Sequence, residues 1–367
     1  MKDVPAILEA YRRMREARGG AGEETVLVTL VRTSGSTYRR AGARMLVMPG
    51  GGAGGTVGTI SGGCLEPQVA REAWEATRPG ERAVLEVDNS SEEETWGPAS
   101  GCHGKLLLLA ERSGAGGRHG VLEEIARVRE GEAVGVWAQF FRRRGAGWEP
   151  AALSEKDRAA WREEIETTQG NETSRWVERG EVGAFLECLC PPVHLVIAGA
   201  GNDAQPVARI AQEAGWMVSV VDTRARLATA ERFVGAREVR VGGAEALGQV
   251  LRKRSVAVLM SHRFVDDAAA LAEILPRRLA YVGLLGPRRR TERLLTYVSE
   301  QGTAIDAAWL SSVRSPVGLD IGADSPETIA LAIVAEIQAA LAGRIATPLH
   351  QRVGAIDVPG DVRMGAR

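Results

Sequence analysis

Residues 194–222 restrict the fold of this chain more than any other stretch of its sequence. The stretch opens with an apolar run, 195–198, which is short, partly β-branched and followed at once by glycine, as is typical of a buried parallel strand. Gly199 and Gly201 then form a tight turn, a helix follows, and a second apolar run ends at Asp222. This order predicts a strand–helix–strand unit.

The turn also has the G-x-G-x-x-A form of the dinucleotide-binding fingerprint. Asn202 or Asp203 is expected to cap the helix, and Asp222 lies where a carboxylate accepts hydrogen bonds from a ribose. Gly201 would let a phosphate approach the helix N-terminus. In the alternative interpretation, the glycines only form a tight turn and Asp222 only ends a strand. The sequence leaves both interpretations open.

Beyond residue 222, apolar runs continue to alternate with helical segments. We predict strands at 238–241, 256–260, 280–284 and 313–317 and a last helix at 325–341. Such alternation predicts an α/β domain, a Rossmann-like doubly wound parallel sheet over residues 191–345, whose ligands lie beyond the carboxyl ends of the strands. His262 follows one of those ends. It is a candidate binding residue or proton donor, and the alternative is a hydrogen-bonded structural histidine.

Residues 1–190 predict a separate, mixed α/β domain, and residues 346–367 an irregular tail. Within the first domain, Gly62 and Gly63 directly precede Cys64 and a helix, so their backbone N–H groups are candidates for binding an anion or a cofactor. The lysine of a P-loop is absent. Cys64 itself either contacts a cofactor or merely packs.

Three other cysteines complete the set. Cys102 lies between Gly101 and a His-Gly pair, and such small neighbours predict an accessible thiol; the alternative is an inert loop cysteine. We expect the thiols of Cys188 and Cys190 to face opposite sides of one strand, as ordinary packing residues. Four cysteines at these spacings do not predict a disulfide framework, so a reduced cytoplasmic setting is expected.

Composition excludes several classes of function. The net charge of −1 gives no electrostatic reason to bind nucleic acid or an anionic membrane. No apolar run reaches the roughly 18 residues of a membrane span, and the N-terminal pattern is that of an amphipathic helix and not of a signal peptide.

Several motifs in a fixed order now point to a known family. The N-terminal part contains GSTYRRAGARMLV, GTISGGCLEPQVAREA and GCHG. The C-terminal part contains GAGNDAQPVARIAQEAGWMVSVVDTR, MSHRFVDD, YVGLLGPRRRTERL and SPVGLDIGADSPETIALAIVAEI. Over nearly its whole length the chain resembles the XdhC/CoxI family of xanthine dehydrogenase accessory factors. It is similar to the longer branch, with G-C-x-G around the second cysteine; shorter members have C-G-G there, and His103 departs from that pattern.

The resemblance implies a maturation factor without turnover of its own. Such a protein would bind molybdenum cofactor, as molybdopterin or a dinucleotide form, and would help to deliver its sulfurated form to a xanthine dehydrogenase-type enzyme. The resemblance also implies that Cys102 contacts the cofactor, at its molybdenum, with Cys64 as the other motif cysteine. It further implies a homodimer and a cysteine desulfurase as a second partner. A thiolate suits such a soft metal centre.

Two other classes of function remain open from the sequence. The fingerprint residues are compatible with an NAD(P)-dependent oxidoreductase, in which His262 would donate the proton because no Tyr-x-x-x-Lys pair is evident. Alternatively, the chain is a docking scaffold whose nucleotide fold is empty.

Overall fold

The computed structural model describes residues 3–16, 24–35, 37–50, 55–88, 104–114, 116–306 and 309–351. The chain divides into two compact units, Met1–Pro191 and Pro192–Arg367. Among the described residues, no helix is both long enough and apolar enough to cross a membrane.

The first unit is built from nine strands and five helices in its described part. The strands are β1 (Val26–Gly35), β2 (Arg44–Val47), β3 (Thr56–Gly58), β4 (Arg82–Asp88), β5 (Gly104–Arg112), β6 (Gly135–Arg144), β7 (Gly147–Ala151), β8 (Arg175–Arg179) and β9 (Val182–Leu189). The helices are α1 (Asp3–Glu16), α2 (Glu66–Ala76), α3 (Gly120–Glu130), α4 (Glu155–Ala159) and α5 (Arg162–Asn171).

These strands form two antiparallel sheets, with the orders β3-β2-β1-β5-β4 and β7-β6-β9-β8. Strand β1 is buried on both faces because its alternate residues enter different cores. Val28 packs with α2, whereas Leu27 packs with α1 and α3. Val31 meets Phe141 and Phe185 of the second sheet, so a shared apolar layer joins the two sheets.

One buried ion pair also crosses between the sheets. Arg44 of β2 donates from Nη1 to Oε1 of Glu187 of β9 at 2.7 Å and from Nη2 to the other carboxylate oxygen. The side chains are only 2% and 3% exposed. Arg44 Nη1 also donates to the carbonyl oxygen of Gly42 at 3.0 Å. The pair fixes the position of β2 against β9 by directional bonds as well as by packing.

The second unit is a single parallel sheet with helices on both faces. Its strands are β10 (His194–Ala198), β11 (Met217–Asp222), β12 (Glu238–Val241), β13 (Ser255–Leu259), β14 (Val282–Leu284) and β15 (Val313–Arg314). Its helices are α6 (Ala204–Glu213), α7 (Ala244–Val250), α8 (Phe264–Ile274), α9 (Arg288–Glu300) and α10 (Pro326–Leu341).

The strand order, β12-β11-β10-β13-β14-β15, reverses between β10 and β13. Leu195 packs on one face of the sheet with α6 and α10, and Val196 packs on the other with α7, α8 and α9. The α/β prediction, with a Rossmann-like doubly wound parallel sheet in the C-terminal part, is confirmed. Strand β15 is shorter than the predicted 313–317, since Pro316 has no N–H to donate to the ladder.

A buried histidine cross-links the three central strands of this sheet. His194 at the start of β10 contacts Oγ of Ser255 on β13 through Nδ1 at 2.8 Å and Oγ of Ser219 on β11 through Nε2 at 2.9 Å. Burial, together with the positive charges of Arg252 and Arg237, lowers the pKa of His194 from 6.5 to about 4. The folded protein therefore holds this imidazole in its neutral form.

This histidine predicts a loss of stability in mild acid. Because its folded pKa lies below the unfolded value, the unfolded chain takes up the proton first, and stability falls as the pH drops from about 6.5 towards about 4. We expect His194→Gln to remove up to about 3 kcal/mol of this pH dependence from the second unit. Urea unfolding measured between about pH 7 and pH 4.5 tests this. The exposed His350, replaced in the same way, is the control, and equal pH slopes for both variants would contradict the assignment.

Candidate functional site

The carboxyl ends of β10 and β13 are the point at which the strand order reverses, and in open parallel sheets ligands bind at such a point. Gly199 follows β10 with φ of +127°, and a Cβ built there would lie 2.5 Å from the backbone carbonyl of Met260 and 2.6 Å from the nitrogen of Ser261. A side chain cannot fit between the two backbones. Gly199 is therefore required by the close approach of the two strand ends.

The next residues of the turn, Asn202 and Asp203, directly precede helix α6. Asp203 occupies the N-cap position of α6, but it makes no side-chain capping bond. Asn202 Oδ1 accepts a hydrogen bond from Arg232 at 3.1 Å. The prediction that one of these side chains caps the helix is wrong, because each has a partner elsewhere.

Asp203 is instead paired with His262. Its Oδ2 lies 2.6 Å from Nε2 of His262, so the loops after β10 and β13 meet through their side chains. His262 has φ of +61°, a left-handed conformation that costs a non-glycine residue roughly 1–2 kcal/mol. Its side chain is 59% exposed. The structure thus holds an acid–histidine pair at the edge where open parallel sheets generally bind ligands, with the carboxylate orienting the imidazole.

Asp222, in contrast to the exposed His262, is buried, and both of its carboxylate oxygens accept hydrogen bonds. It is 4% exposed, and its Oδ2 accepts the N–H of Ala200 at 2.6 Å and a guanidinium N–H of Arg224 at 2.6 Å. Its Oδ1 accepts the backbone and Nε hydrogens of Arg224, both at 2.8 Å. Burial acts to raise the pKa of Asp222, but these hydrogen bonds outweigh it and hold the pKa below its usual value. A ribose would have to displace Arg224 to reach this carboxylate.

The carboxylate of Asp203 is a second negative group that disfavours dinucleotide binding. A Cβ on Gly201 would lie 2.4 Å from Oδ1 of Asp203, so this carboxylate covers the glycine at which a diphosphate would approach the helix. Two like charges at about 4 Å repel by about 4 kcal/mol near a protein surface. The described conformation is therefore unfavourable for a diphosphate, and the nucleotide role of Gly199, Gly201 and Asp222 stays a prediction.

This geometry predicts a gain of binding on substitution. We expect Asp203→Ala to bind inorganic pyrophosphate and NAD at least about tenfold more tightly than the unchanged protein, because the repelling carboxylate is removed from the helix N-terminus. Titration calorimetry measures the change. Glu213→Ala, at the C-terminal end of α6, is the charge-matched control. Tight NAD binding by the unchanged protein would contradict the expectation, and NAD preferred over NADP would then support the ribose role of Asp222.

In the first unit, the loop before α2 is folded around one carboxylate. Glu66, the first residue of the helix, is 6% exposed. Its side chain accepts the N–H groups of Ile60 at 3.1 Å, Ser61 at 2.8 Å and Leu65 at 3.2 Å, and the hydroxyl of Ser61 at 2.6 Å. Burial acts to raise the pKa of Glu66, but these donors outweigh it and lower the pKa. The protein thus supplies an anion of its own at this helix N-terminus.

Cys64 is presented on the outside of this loop. Its thiol is exposed, and Sγ lies 3.6 Å from Oγ of Ser61. Gly63 donates its N–H to the same hydroxyl at 3.3 Å and has φ of +107°, and no atom of the described residues lies within 4 Å of a Cβ built there. A Cβ on Gly62 would lie 3.7 Å from the ring of Tyr38, which is 71% exposed. An accessible thiol thus lies on a braced loop close to an exposed aromatic ring.

The remaining cysteines are Cys102, Cys188 and Cys190. Cys102 and His103 lie outside the described residues. The expectation for Cys188 and Cys190 is wrong, because residues two apart on a strand project from the same face, and the two sulfurs lie 3.5 Å apart. In the described part of the chain, no three or more His, Cys, Asp or Glu residues form a group that could hold a metal ion.

Sequence reasoning missed Glu66 and Arg224, the residues that organise the two loops. Each has a local signal. Glu66 stands directly before Pro67 at the start of a helix, where acidic side chains meet unsatisfied N–H groups. Arg224 is two residues after Asp222, close enough for a bidentate pair.

Comparison with known proteins covers both units. A family model described as the XdhC Rossmann domain matches residues 195–337, and one described as the XdhC and CoxI family matches residues 20–88. A Bacillus subtilis protein named as a probable xanthine dehydrogenase subunit is 29% identical over 327 residues, which are 86% of this chain and 92% of that protein. The molybdenum cofactor insertion chaperone PaoD of Escherichia coli is 25% identical over 318 residues, which are 86% of this chain and 83% of that protein.

A solved structure is similar to this chain over both units. A crystal structure described as a xanthine dehydrogenase from Bacillus halodurans has a TM-score of 0.72 and 26% sequence identity, covering 94% of this chain and 97% of that one. One family model matches within each unit, and the alignments with the two relatives extend across both units. Both units of the chain are thus similar to XdhC-type proteins.

Proposed function

We propose that this protein binds molybdenum cofactor and assists its sulfuration and insertion into a xanthine dehydrogenase-type enzyme. The observation that carries the proposal is the similarity to an insertion chaperone, which spans 86% of this chain and 83% of that protein. The Bacillus subtilis relative, named for a xanthine dehydrogenase, supports the same class of partner. The cofactor is the cargo of such a protein, in its molybdopterin or dinucleotide form.

The donor chemistry of the first unit is compatible with this cargo. Cys64 offers an exposed sulfur, a soft donor suited to molybdenum, on a loop fixed by Glu66. Among the described residues, none fills the space beside Gly63. We assign Cys102, by resemblance, to contact with the molybdenum and Cys64 to a second contact. Gly62 and Gly63 would lie beside the bound cofactor.

The second unit is proposed to hold the pterin or nucleotide end of the cofactor. The exposed imidazole of His262 is available for hydrogen bonds at the edge where parallel sheets bind ligands, and Asp203 fixes its orientation. The homodimer and a cysteine desulfurase as a further partner belong to the proposal on the resemblance alone, and the cytoplasmic setting belongs to it on the number and spacing of the cysteines.

Anaerobic purification from a host that makes molybdenum cofactor tests the proposal. We expect molybdenum and pterin in equal amounts, released together on denaturation, and activation of a cofactor-free molybdenum hydroxylase by the loaded protein. Elemental analysis and fluorescence of the oxidised pterin measure both. Bound NAD(H) without pterin would favour the oxidoreductase, and binding of the hydroxylase with neither ligand would favour the docking scaffold.

A further inference from the structure

The cysteine pair at the end of β9 is not used by the proposed function. The Sγ atoms of Cys188 and Cys190 lie 3.5 Å apart. Residues two apart in an extended strand have Cα atoms about 6.6 Å apart. That separation is within the roughly 4.4–6.8 Å that a disulfide spans. Because both side chains already point to one face, rotation of the side chains can bring the sulfurs into bonding distance.

The two thiols differ in how firmly they are held. Pairing of β8 with β9 ends at Arg175 and Leu186, and beyond it Oγ of Ser174 accepts the N–H of Cys188 at 3.0 Å. On the other side, Cys188 pairs with Val136 of β6. Cys188 is therefore fixed within the sheet and half-buried, whereas Cys190 lies past the strand end and is exposed. The exposed thiol of Cys190 is therefore positioned to react first with a reagent, and the thiol of Cys188 is positioned to react second.

A carboxylate flanks the exposed thiol. Sγ of Cys190 lies 4.0 Å from Oε2 of Glu172, which follows α5 in a left-handed conformation with φ of +50°. A negative charge at this distance disfavours the approach of an anionic reagent and favours a cationic one. The charge of Glu172 therefore selects among small disulfides by their own charge.

We propose that Cys188 and Cys190 form a redox-active dithiol whose substrates are small uncharged or cationic disulfides. The Cys190 thiolate attacks one sulfur of the disulfide R–S–S–R, forming Cys190–S–S–R and releasing R–SH. Cys188 then attacks the Cys190 sulfur, forming the Cys188–Cys190 bond and releasing the second R–SH. The protein loses two protons and two electrons, and the small disulfide is reduced to two thiols.

The Cys188–Cys190 disulfide is expected to be reduced easily back to two thiols. A disulfide across one intervening residue, near the upper limit of the allowed Cα separation and with one exposed sulfur, belongs to the strained and exposed class that is easily reduced. The pair directly precedes Pro191 and Pro192, where the chain passes from the first unit to the second. Neither cysteine of this pair is assigned to cofactor binding, so either proposal can fail without the other.

Mass spectrometry with peptide mapping of the native, full-length protein tests the reaction. Treated with cystamine, the unchanged protein is expected to lose two hydrogens in the peptide that contains Cys188 and Cys190 and to retain no cysteamine there. Cys188→Ala is expected to stop at the first step, with one cysteamine held on Cys190. Cys190→Ala is expected to react more slowly, at the half-buried Cys188, and to hold one cysteamine there without forming an internal disulfide.

The charge selection is tested with a matched pair of reagents. Relative to a free cysteine, the native protein is expected to prefer cationic cystamine over anionic oxidised glutathione, and Glu172→Gln is expected to lose this preference. The proposal is overturned if the unchanged protein keeps a stable mixed disulfide at Cys190, or if the pair reacts only after denaturation. An unchanged reagent preference in Glu172→Gln would overturn the assigned substrate class.

Discussion

Arg44→Met is expected to destabilise the first unit by about 3–5 kcal/mol. The substitution leaves the Glu187 carboxylate, 3% exposed, without its bidentate partner between the two sheets. Burial of an uncompensated charge costs far more than an exposed ion pair contributes, so the loss greatly exceeds that for a surface arginine. Urea unfolding followed by tryptophan fluorescence measures it, since Trp148 and Trp176 pack beside Phe141 of the second sheet.

A double substitution separates the charge effect from a loss of packing. Arg44→Met combined with Glu187→Leu removes both charges, and we expect it to recover most of the stability lost in the single variant. Arg127→Met is the control, because Arg127 pairs with Glu124 at an exposed surface and is expected to change stability by less than about 1 kcal/mol. Equal losses in Arg44→Met and the double variant would mean that the methylene packing of the arginine matters more than its charge.

The second unit could be predicted from sequence because its signals are local. Each parallel strand, buried on both faces, is a short apolar run, and the 195–198 and 238–241 predictions match β10 and β12 closely. The glycine turn also has a local signal, because Gly199 directly follows the apolar run 195–198. In the structure, a backbone contact at the strand ends requires this glycine. The close approach of Met260 that explains this requirement was not visible in the sequence.

The partners of the polar side chains could not be predicted in the same way. Asp203 and His262 are 59 residues apart, and Arg44 and Glu187 are 143 apart. Their contacts depend on the order of strands in a sheet and on the packing of one sheet against another. No local pattern encodes either. Aspartate is a residue type that often caps helices. The carboxylate of Asp203 nevertheless pairs with the imidazole of His262 and makes no capping bond.

The largest functional effect is expected at Cys102. Cys102→Ala should lower molybdenum-cofactor retention by at least about tenfold, since even residues that only support a metal ligand cost 10–100-fold when replaced. It should barely change stability, because the substitution removes one sulfur from a stretch flanked by glycines at 101 and 104. Activation of the partner hydroxylase should fall in parallel. Bound pterin, measured by fluorescence after oxidation, gives the retained fraction.

The matching substitution at Cys64 is the comparison for the Cys102 prediction. Its thiol is exposed on the Glu66-braced loop, so Cys64→Ala should also leave stability unchanged, with an intermediate loss of cofactor. Cys64→Ser and Cys102→Ser keep the size of the side chain and replace only the soft donor, so a role in metal contact requires that serine not restore binding. If Cys102→Ala retains as much cofactor as the unchanged protein and still activates the hydroxylase, this thiol is not the molybdenum contact. If Cys64→Ala alone then loses the cofactor, the contact belongs to the loop before α2.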